Sequence, residues 1–208
     1  MQVTKYPQSC LVVEVPGTGR LLLDPGGPAS ARHELEEMLP VDAVLVTHRH
    51  PDHLDGAWAA ELLDRGIPLV TNADVAGLLD RDDVTVMADG DRREVAGVAV
   101  RAVELAHMPM VDGTPGPPNL GFLLDDRLLH PGDGVDLRGL HAQVLAAPLA
   151  GPSCSYRDTY VMIETVGATT AIPIHYDVFP ADPDLFAEKA GDVADVRVLA
   201  AGETTTLA

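Results

Sequence analysis

The sequence is short of groups that cross-link, stack or carry positive charge. Its two cysteines, Cys10 and Cys154, stand far apart with no CxxC pairing, which excludes a zinc ribbon and a thioredoxin-like redox motif. Both read as small buried hydrophobes. Aromatic residues make up only 4% of the chain, so its core must be assembled from Val, Leu and Ala. Lys and Arg number 14 against 32 Asp and Glu, a formal net charge of −18. So acidic a surface favours solubility and repels phosphate backbones and anionic bilayers, which excludes nucleic acid and membrane as partners. No stretch approaches the roughly 20 apolar residues that span a bilayer. The apolar run near the N-terminus is broken at Glu14, too early for a secretory leader. The expectation is a cytoplasmic protein with a small-molecule substrate and room for a homo-oligomer.

What is present reads as one α/β domain over residues 1–208, with 46% hydrophobic residues and enough length to bury a core. CLVVEV and RLLLD around PGTG predict an opening hairpin. ARHELEEML has amphipathic helical spacing, and Val41 to Thr47 reads as a buried strand. LDGAWAAELLDRG reads as a helix stopped by Gly66, IPLVT as a strand, and Asn72 or Asp74 starts a short helix ending near Leu79. From Asp83 onward short strands alternate with Gly, Asp-Gly and Asp-Asp turns. HMPMVDGTPGPPN interrupts them as a Pro- and Gly-rich surface loop. Ser155 to Val166 predicts a helix, TTAIPIHYD a strand, DPDLFAEKA a helix and VRVLAAGETTTL a closing hairpin. The pattern gives two similar halves of mixed strands and helices, hence sheets packed together with helices outside.

Against this plain background, AVLVTHRHPDHLDG concentrates three histidines and two aspartates behind a short apolar run. Residues two apart in an extended chain face the same side, so His48 and His50 can address one point. Pro51 turns the chain, and Asp52 and His53 can then address a second point nearby. Imidazole and carboxylate are ligands for zinc, and manganese and iron accept the same set. Two ions need more ligands than this loop offers. His107 and His175 both end strand-like runs, and each could complete one metal. Asp133, in HPGDG, sits at another strand end where one carboxylate could bridge two ions. His33 reads as the solvated face of a helix, His141 as structural, and His130 either as an orienting neighbour of a ligand or as simple packing. Tyr176 reads as packing and Arg49 as half of a structural ion pair, since both alternate away from the ligands beside them.

These pieces, in the order LLLDPGG, THRHPDHLDG, His107, LLHPGD and IPIHYDVF, resemble the metallo-β-lactamase fold superfamily of metal-dependent hydrolases over nearly the whole chain. LLHPGD and IPIHY are most similar to the group around ascorbate-6-phosphate lactonase. The resemblance implies an αββα sandwich with a site where strand-end loops converge. It assigns His48, His50 and His107 to one divalent ion, Asp52, His53 and His175 to a second, and Asp133 to the bridge. The expected cofactors are two divalent ions, Zn2+ first, with Mn2+ or Fe as substitutes. Two such ions sharing a water would lower its pKa toward neutrality, and Asp52 would assist proton transfer as the catalytic side chain. The expected substrate is a small ester, either a lactone or a phosphoester. The competing expectation is a metal-binding protein of the same fold without useful turnover, acting as a sensor or interaction module.

Overall fold

The opening strands form because short Val and Leu runs are separated by a turn at Gly17, whose φ of +76° suits glycine. In the computed structural model, which describes residues 1–207, β1 (Gln2–Lys5), β2 (Leu11–Val15) and β3 (Gly19–Leu23) are antiparallel neighbours. β4 (Ala43–Leu45), β5 (Leu69–Thr71) and β6 (Val84–Val86) then continue the same sheet in parallel. The second sheet begins with the antiparallel strands β7 (Arg92–Val95), β8 (Val98–Glu104), β9 (Leu120–Leu124) and β10 (Leu128–His130). It continues in parallel through β11 (Val144–Pro148), β12 (Thr170–Ile174) and β13 (Asp195–Val196). A last strand, β14 (Thr204–Thr206), returns to the first sheet beside β1. Each sheet has seven strands, and the two halves seen in the sequence are these two sheets.

Helices cover the parallel strands, which need burial on both faces. A single turn, α1 (Gly27–Ser30), follows β3, while α2 (Gly56–Asp64) and α3 (Ala73–Leu79) pack over β4 and β5. α4 (Tyr156–Val166) and α5 (Pro183–Ala190) cover the second sheet. Between the sheets lies a core of Val, Leu, Ile and Ala with the single ring of Phe122. The result is an αββα sandwich, as expected. Its helices start where side-chain caps allow: Asp55 and Asn72 accept backbone N–H bonds at the starts of α2 and α3, and Ser155 forms a capping box with Asp158 at α4.

Two local expectations are corrected, and one strand had no expectation. ARHELEEML is not a helix. It holds only a one-turn 3-10 segment, Leu35–Glu37, because Glu34 adopts extended backbone and its N–H is capped by the Glu37 carboxylate at 2.9 Å. One turn already buries Leu35 and Met38, and nothing remains before Pro40 to propagate a longer helix. VRVLAAGETTTL is not a hairpin either, since β13 pairs with β12 while β14 pairs with β1 in the opposite sheet. Alternation identifies a strand but not the sheet it joins. β1 went unread because only Val3 and Lys5 of its four residues face inward. Elsewhere the predicted elements stand, with the Val41 to Thr47 strand trimmed to β4.

Candidate metal centre

The site forms where strands end. β3 leads to Asp24, β4 to the His48–His53 loop, β8 to His107, β10 to Asp133 and β12 to His175. In parallel sheets the carboxyl ends of strands open into loops that face one crevice, and here both sheets deliver theirs to one place. His48, His50, His107 and Asp133 bring their ligand atoms within 4.8 Å of one another, and Asp52, His53 and His175 do the same beside them. All seven residues singled out in the sequence therefore meet.

Hydrogen bonds at the far side of each ring decide which nitrogen faces the cluster. His107 Nδ1–H donates to Met108 O at 2.5 Å and His175 Nδ1–H donates to Ala150 O at 2.5 Å, leaving both Nε2 atoms inward. Thr47 Oγ1–H donates to Asp24 Oδ2 at 2.8 Å, so its oxygen is left to accept from His48 Nδ1–H at 3.1 Å. His53 Nδ1–H donates to the same Asp24 Oδ2 at 2.7 Å. His50 is the exception, offering Nδ1, which stands 3.2 Å from His48 Nε2 and 3.1 Å from His107 Nε2. Such fixing of the remote nitrogen orients imidazoles toward a cation.

Asp133 divides its carboxylate between the two groups. Oδ2 lies 3.2 Å from His107 Nε2 and 3.9 Å from His48 Nε2. Oδ1 lies 3.0 Å from His53 Nε2 and 3.2 Å from His175 Nε2. Asp52 Oδ2 closes the second group at 3.3 Å from His175 Nε2. His53 Nε2, His175 Nε2 and Asp133 Oδ1 are buried yet make no aligned hydrogen bond. Orphaned buried polar atoms of this kind are costly, and one cation beside all three would satisfy them together. Five nitrogens and two carboxylates, with no thiolate, form a donor set suited to divalent transition ions.

Electrostatics agree with a missing positive charge. Burial alone would lower the pKa of His53, but the Asp133 and Asp24 carboxylates outweigh it and hold the ring well above the usual histidine value. Burial opposes protonation of His175 too, and Asp133 and Asp52 reverse it, raising the ring to about 9. Asp133 and Asp52 go the other way: desolvation by burial is outweighed by neighbouring imidazoles, and both sit below the usual carboxylate range. His48 and His50, farther from these carboxylates, are pushed down by burial. In the metal-free protein, protons on His53 and His175 thus supply the charge. A cation entering near neutral pH must displace them, so binding is expected to release protons and apparent affinity to rise with pH through about 9, where His175 loses its proton, and further as His53 loses its own. Calorimetric titrations in buffers of different ionisation enthalpy measure this; proton uptake, or an affinity indifferent to pH, contradicts it.

The supporting residues were largely unread. Asp24 is fully buried at φ +46° and accepts from Thr47 N at 2.8 Å as well as from Thr47 Oγ1 and His53. Its only signal was an acid closing an apolar strand before Pro25. Asn119 donates to Leu105 O and Pro131 O and accepts from Asp133 N, steadying the turn that carries Asp133. Gln8, fully buried at φ +62°, donates from Nε2 to Asp52 Oδ2 at 2.9 Å while its Oε1 accepts from Asp177 N and Val178 N. Nothing in the sequence near Gln8 hinted at this.

Two glycines show how tightly the loops fit. A Cβ on Gly26 would lie 2.1 Å from Asp52 O, and one on Gly116 would lie 2.2 Å from His107 Nδ1. Gly26→Ala is expected to destabilise the fold by about 1–3 kcal/mol, because the obstacle is backbone. It should also weaken cation binding at the Asp52 group more than at the His107 group. Chemical denaturation with paired metal titrations checks both, and unchanged stability contradicts the packing described.

The remaining histidines sort differently. His130 is buried behind the cluster, donating from Nε2 to Ser9 O at 2.9 Å and accepting at Nδ1 from Gly132 N at 3.3 Å. It packs and orders a turn without facing the ligand atoms. His33 is partly exposed in a turn, with Nδ1 3.0 Å from Glu37 Oε2 and its ring edge-on to Tyr6. His141, expected to be structural, is instead exposed: it lies just before the buried run of β11, where no neighbour covers it. Arg49 bonds Asp74 Oδ2 at 2.6 Å. The Tyr176 ring lies beneath the Lys5 ammonium, 4.4 Å from its centroid.

This fold with this cluster defines a metallo-β-lactamase type of domain, and residues 2–175 match a family model described as the beta-lactamase superfamily domain. Protein Rv0786c of Mycobacterium tuberculosis is 33% identical over 189 residues, covering 88% of this chain and 87% of that protein. The UPF0173 metal-dependent hydrolase MJ1163 of Methanocaldococcus jannaschii is 30% identical over 205 residues, covering 90% and 91%. Igni18, described as a novel metallo hydrolase from Ignicoccus hospitalis, superposes with a TM-score of 0.79 at 22% identity, covering 100% of this chain and 98% of its own. The chain belongs to the metallo-β-lactamase superfamily and, within it, to the UPF0173 family of metal-dependent hydrolases.

Proposed function

We propose that the protein is a metal-dependent hydrolase that holds two divalent cations and cleaves a small ester-type substrate, a lactone or a phosphoester. His48, His50 and His107 would hold one cation, Asp52, His53 and His175 the other, and Asp133 would reach both. The observation that carries this reading is the split carboxylate of Asp133, whose two oxygens face two separate imidazole groups. Divalent cations bound there supply a water nucleophile at neutral pH and polarise the oxygen of the bond to be cleaved. Zinc suits the donor set best, and manganese or iron would also be accepted.

The chain's own residues account for the rest. Asp24, Thr47 and the carbonyls of Met108 and Ala150 hold four imidazoles in fixed tautomers, so no reorganisation is needed when substrate binds. Asp52 is the acid at the cleft with a partly exposed carboxylate, which can accept a proton from water and pass it on. Gln8 keeps that carboxylate in place. The loop from Met108 to Asn119 contributes Met110 to the cleft wall.

Asp24→Asn keeps the shape but changes the charge behind His53 and the partner of Thr47. It is expected to lower cation affinity about 10–100-fold while leaving the fold intact by circular dichroism. Elemental analysis of the protein as isolated, followed by turnover of a lactone and of bis-p-nitrophenyl phosphate, tests the proposal as a whole. Two bound cations with hydrolysis of either ester support it. Two bound cations with no turnover of any ester favour a binding or sensing role.

A further inference from the structure

The cleft beside the cluster encloses about 450 Å³, a size suited to a small molecule. Its chemistry changes sharply away from the imidazoles and carboxylates: Pro28, Pro51, Met110, Pro152, Val178 and Phe179 make up most of the remaining wall. Among the described residues that line it there is no lysine and no arginine. Cations on neighbouring segments are committed to partners of their own. The Lys5 ammonium is buried 3.6 Å from Asp177 Oδ2 and over the Tyr176 ring, Arg32 bonds Asp177 Oδ1 at 3.1 Å, and Arg49 bonds Asp74.

A substrate bearing a phosphate or carboxylate away from its reacting group would leave water there without meeting a counter-charge. It would also approach a protein of formal charge −18. A hydrocarbon substituent meets the opposite conditions, because Val178 remains 48% exposed at this wall and the Phe179 ring, stacked on His175 with centroids 6.0 Å apart, offers apolar surface beside the cation ligands. Burying each methylene against such a surface strengthens binding.

We propose that the cleft takes an uncharged ester whose substituent beyond the reacting carbonyl is aliphatic, an alkyl lactone, and discriminates against phosphorylated lactones and phosphodiesters. The reaction assigned to this ligand rests on the hydrolase reading above, whereas its selection is a binding property that can be measured without turnover. The narrower likeness to the ascorbate-6-phosphate lactonase group therefore does not extend to a distal phosphate.

The test uses uncleaved lactam analogues of one ring size bearing methyl, butyl or hexyl chains, and one bearing a terminal phosphate, titrated calorimetrically into the metal-loaded protein. Dissociation constants are expected to fall about threefold per added methylene, and the phosphate-terminated analogue should bind at least about tenfold more weakly than the hexyl one. Met110→Asp and Val178→Asp should each flatten the series at unchanged metal content. A flat series in the unaltered protein, no binding of any member, or tighter binding of the phosphate-terminated analogue overturns the inference. The corresponding lactones are assayed in parallel. A chain-length gradient in binding with no lactone cleaved upholds the ligand class and overturns the hydrolase reading, and cleavage without a gradient does the reverse.

Discussion

Asp133→Ala is expected to abolish hydrolysis, by at least about 10^3-fold in kcat/KM, because it removes the carboxylate shared by both groups of candidate ligands. The reason lies in the positions of its two oxygens. Oδ1 stands between His53 and His175 and Oδ2 beside His107, so one truncation removes from both groups the single negative charge they share. Burial makes the loss costly: the Asp133 side chain is only 3% exposed, so the imidazoles around it have little water to replace its charge. His53 and His175 would then lose the carboxylate that raises their proton affinity, and their charged forms would become unfavourable in a buried site. Metal content should fall from two cations per chain to one or none. Asp133→Asn distinguishes charge from shape, since it keeps the volume and is expected to fail nearly as badly. Kinetics with elemental analysis on both variants check this, and an Asp133→Ala protein that retains two cations and near-normal turnover contradicts it.

Chelation is expected to produce the second large effect, a drop in thermal stability. Three buried polar atoms without aligned hydrogen bonds face one another in the cluster, so a cation would bind the native state and find no equivalent set in the unfolded chain. Linkage then stabilises the native state by about 4 kcal/mol when free metal stands at about 1,000 times its dissociation constant. For a chain of 208 residues, each kcal/mol moves the midpoint by about 2–4 °C, so metal-loaded and chelated samples should differ by roughly 8–16 °C. The shift should follow metal concentration logarithmically, and it should shrink in Asp133→Ala in step with the metal content that variant loses. Scanning calorimetry at several zinc concentrations measures it. Identical midpoints with and without chelator contradict a cation-binding cluster.

The ligand residues were legible because their chemistry is local. THRHPDHLDG packs four donors into six positions, and strand ends at His107, Asp133 and His175 follow from apolar runs that stop. The layered fold was legible for a related reason, since two successive halves of mixed strands and helices leave few arrangements that cover both faces of a parallel sheet. Convergence was not legible from those patterns alone. It depends on both sheets presenting strand ends to the same crevice, and only resemblance to known relatives joined the pieces beforehand. Asp24, Gln8 and Asn119 escaped notice because a hydrogen bond to a residue 44 positions away, such as Gln8 to Asp52, leaves no periodic trace. Local spacing misled at ARHELEEML, where an extended Glu34, capped by Glu37, ended the helix before it began. It misled again at the C-terminus, where two neighbouring strands part to opposite sheets.

Backbone conformation explains part of what remains. Gln8, Asp24 and His175 all lie at positive φ, a region that costs energy for residues with a Cβ and is retained where surrounding contacts hold it. Each hydrogen-bonds to or belongs to the cluster, although Pro7 and Pro25 beside the first two mark only a turn and not its destination.

The most direct measurement is an anomalous-scattering crystal structure of the protein after loading with zinc, combined with elemental analysis of the same sample. Two cations per chain are expected, one among His48, His50 and His107, the other among Asp52, His53 and His175, with Asp133 touching both. A fully loaded sample with one cation, or with cations bound away from Asp133, would contradict the paired centre.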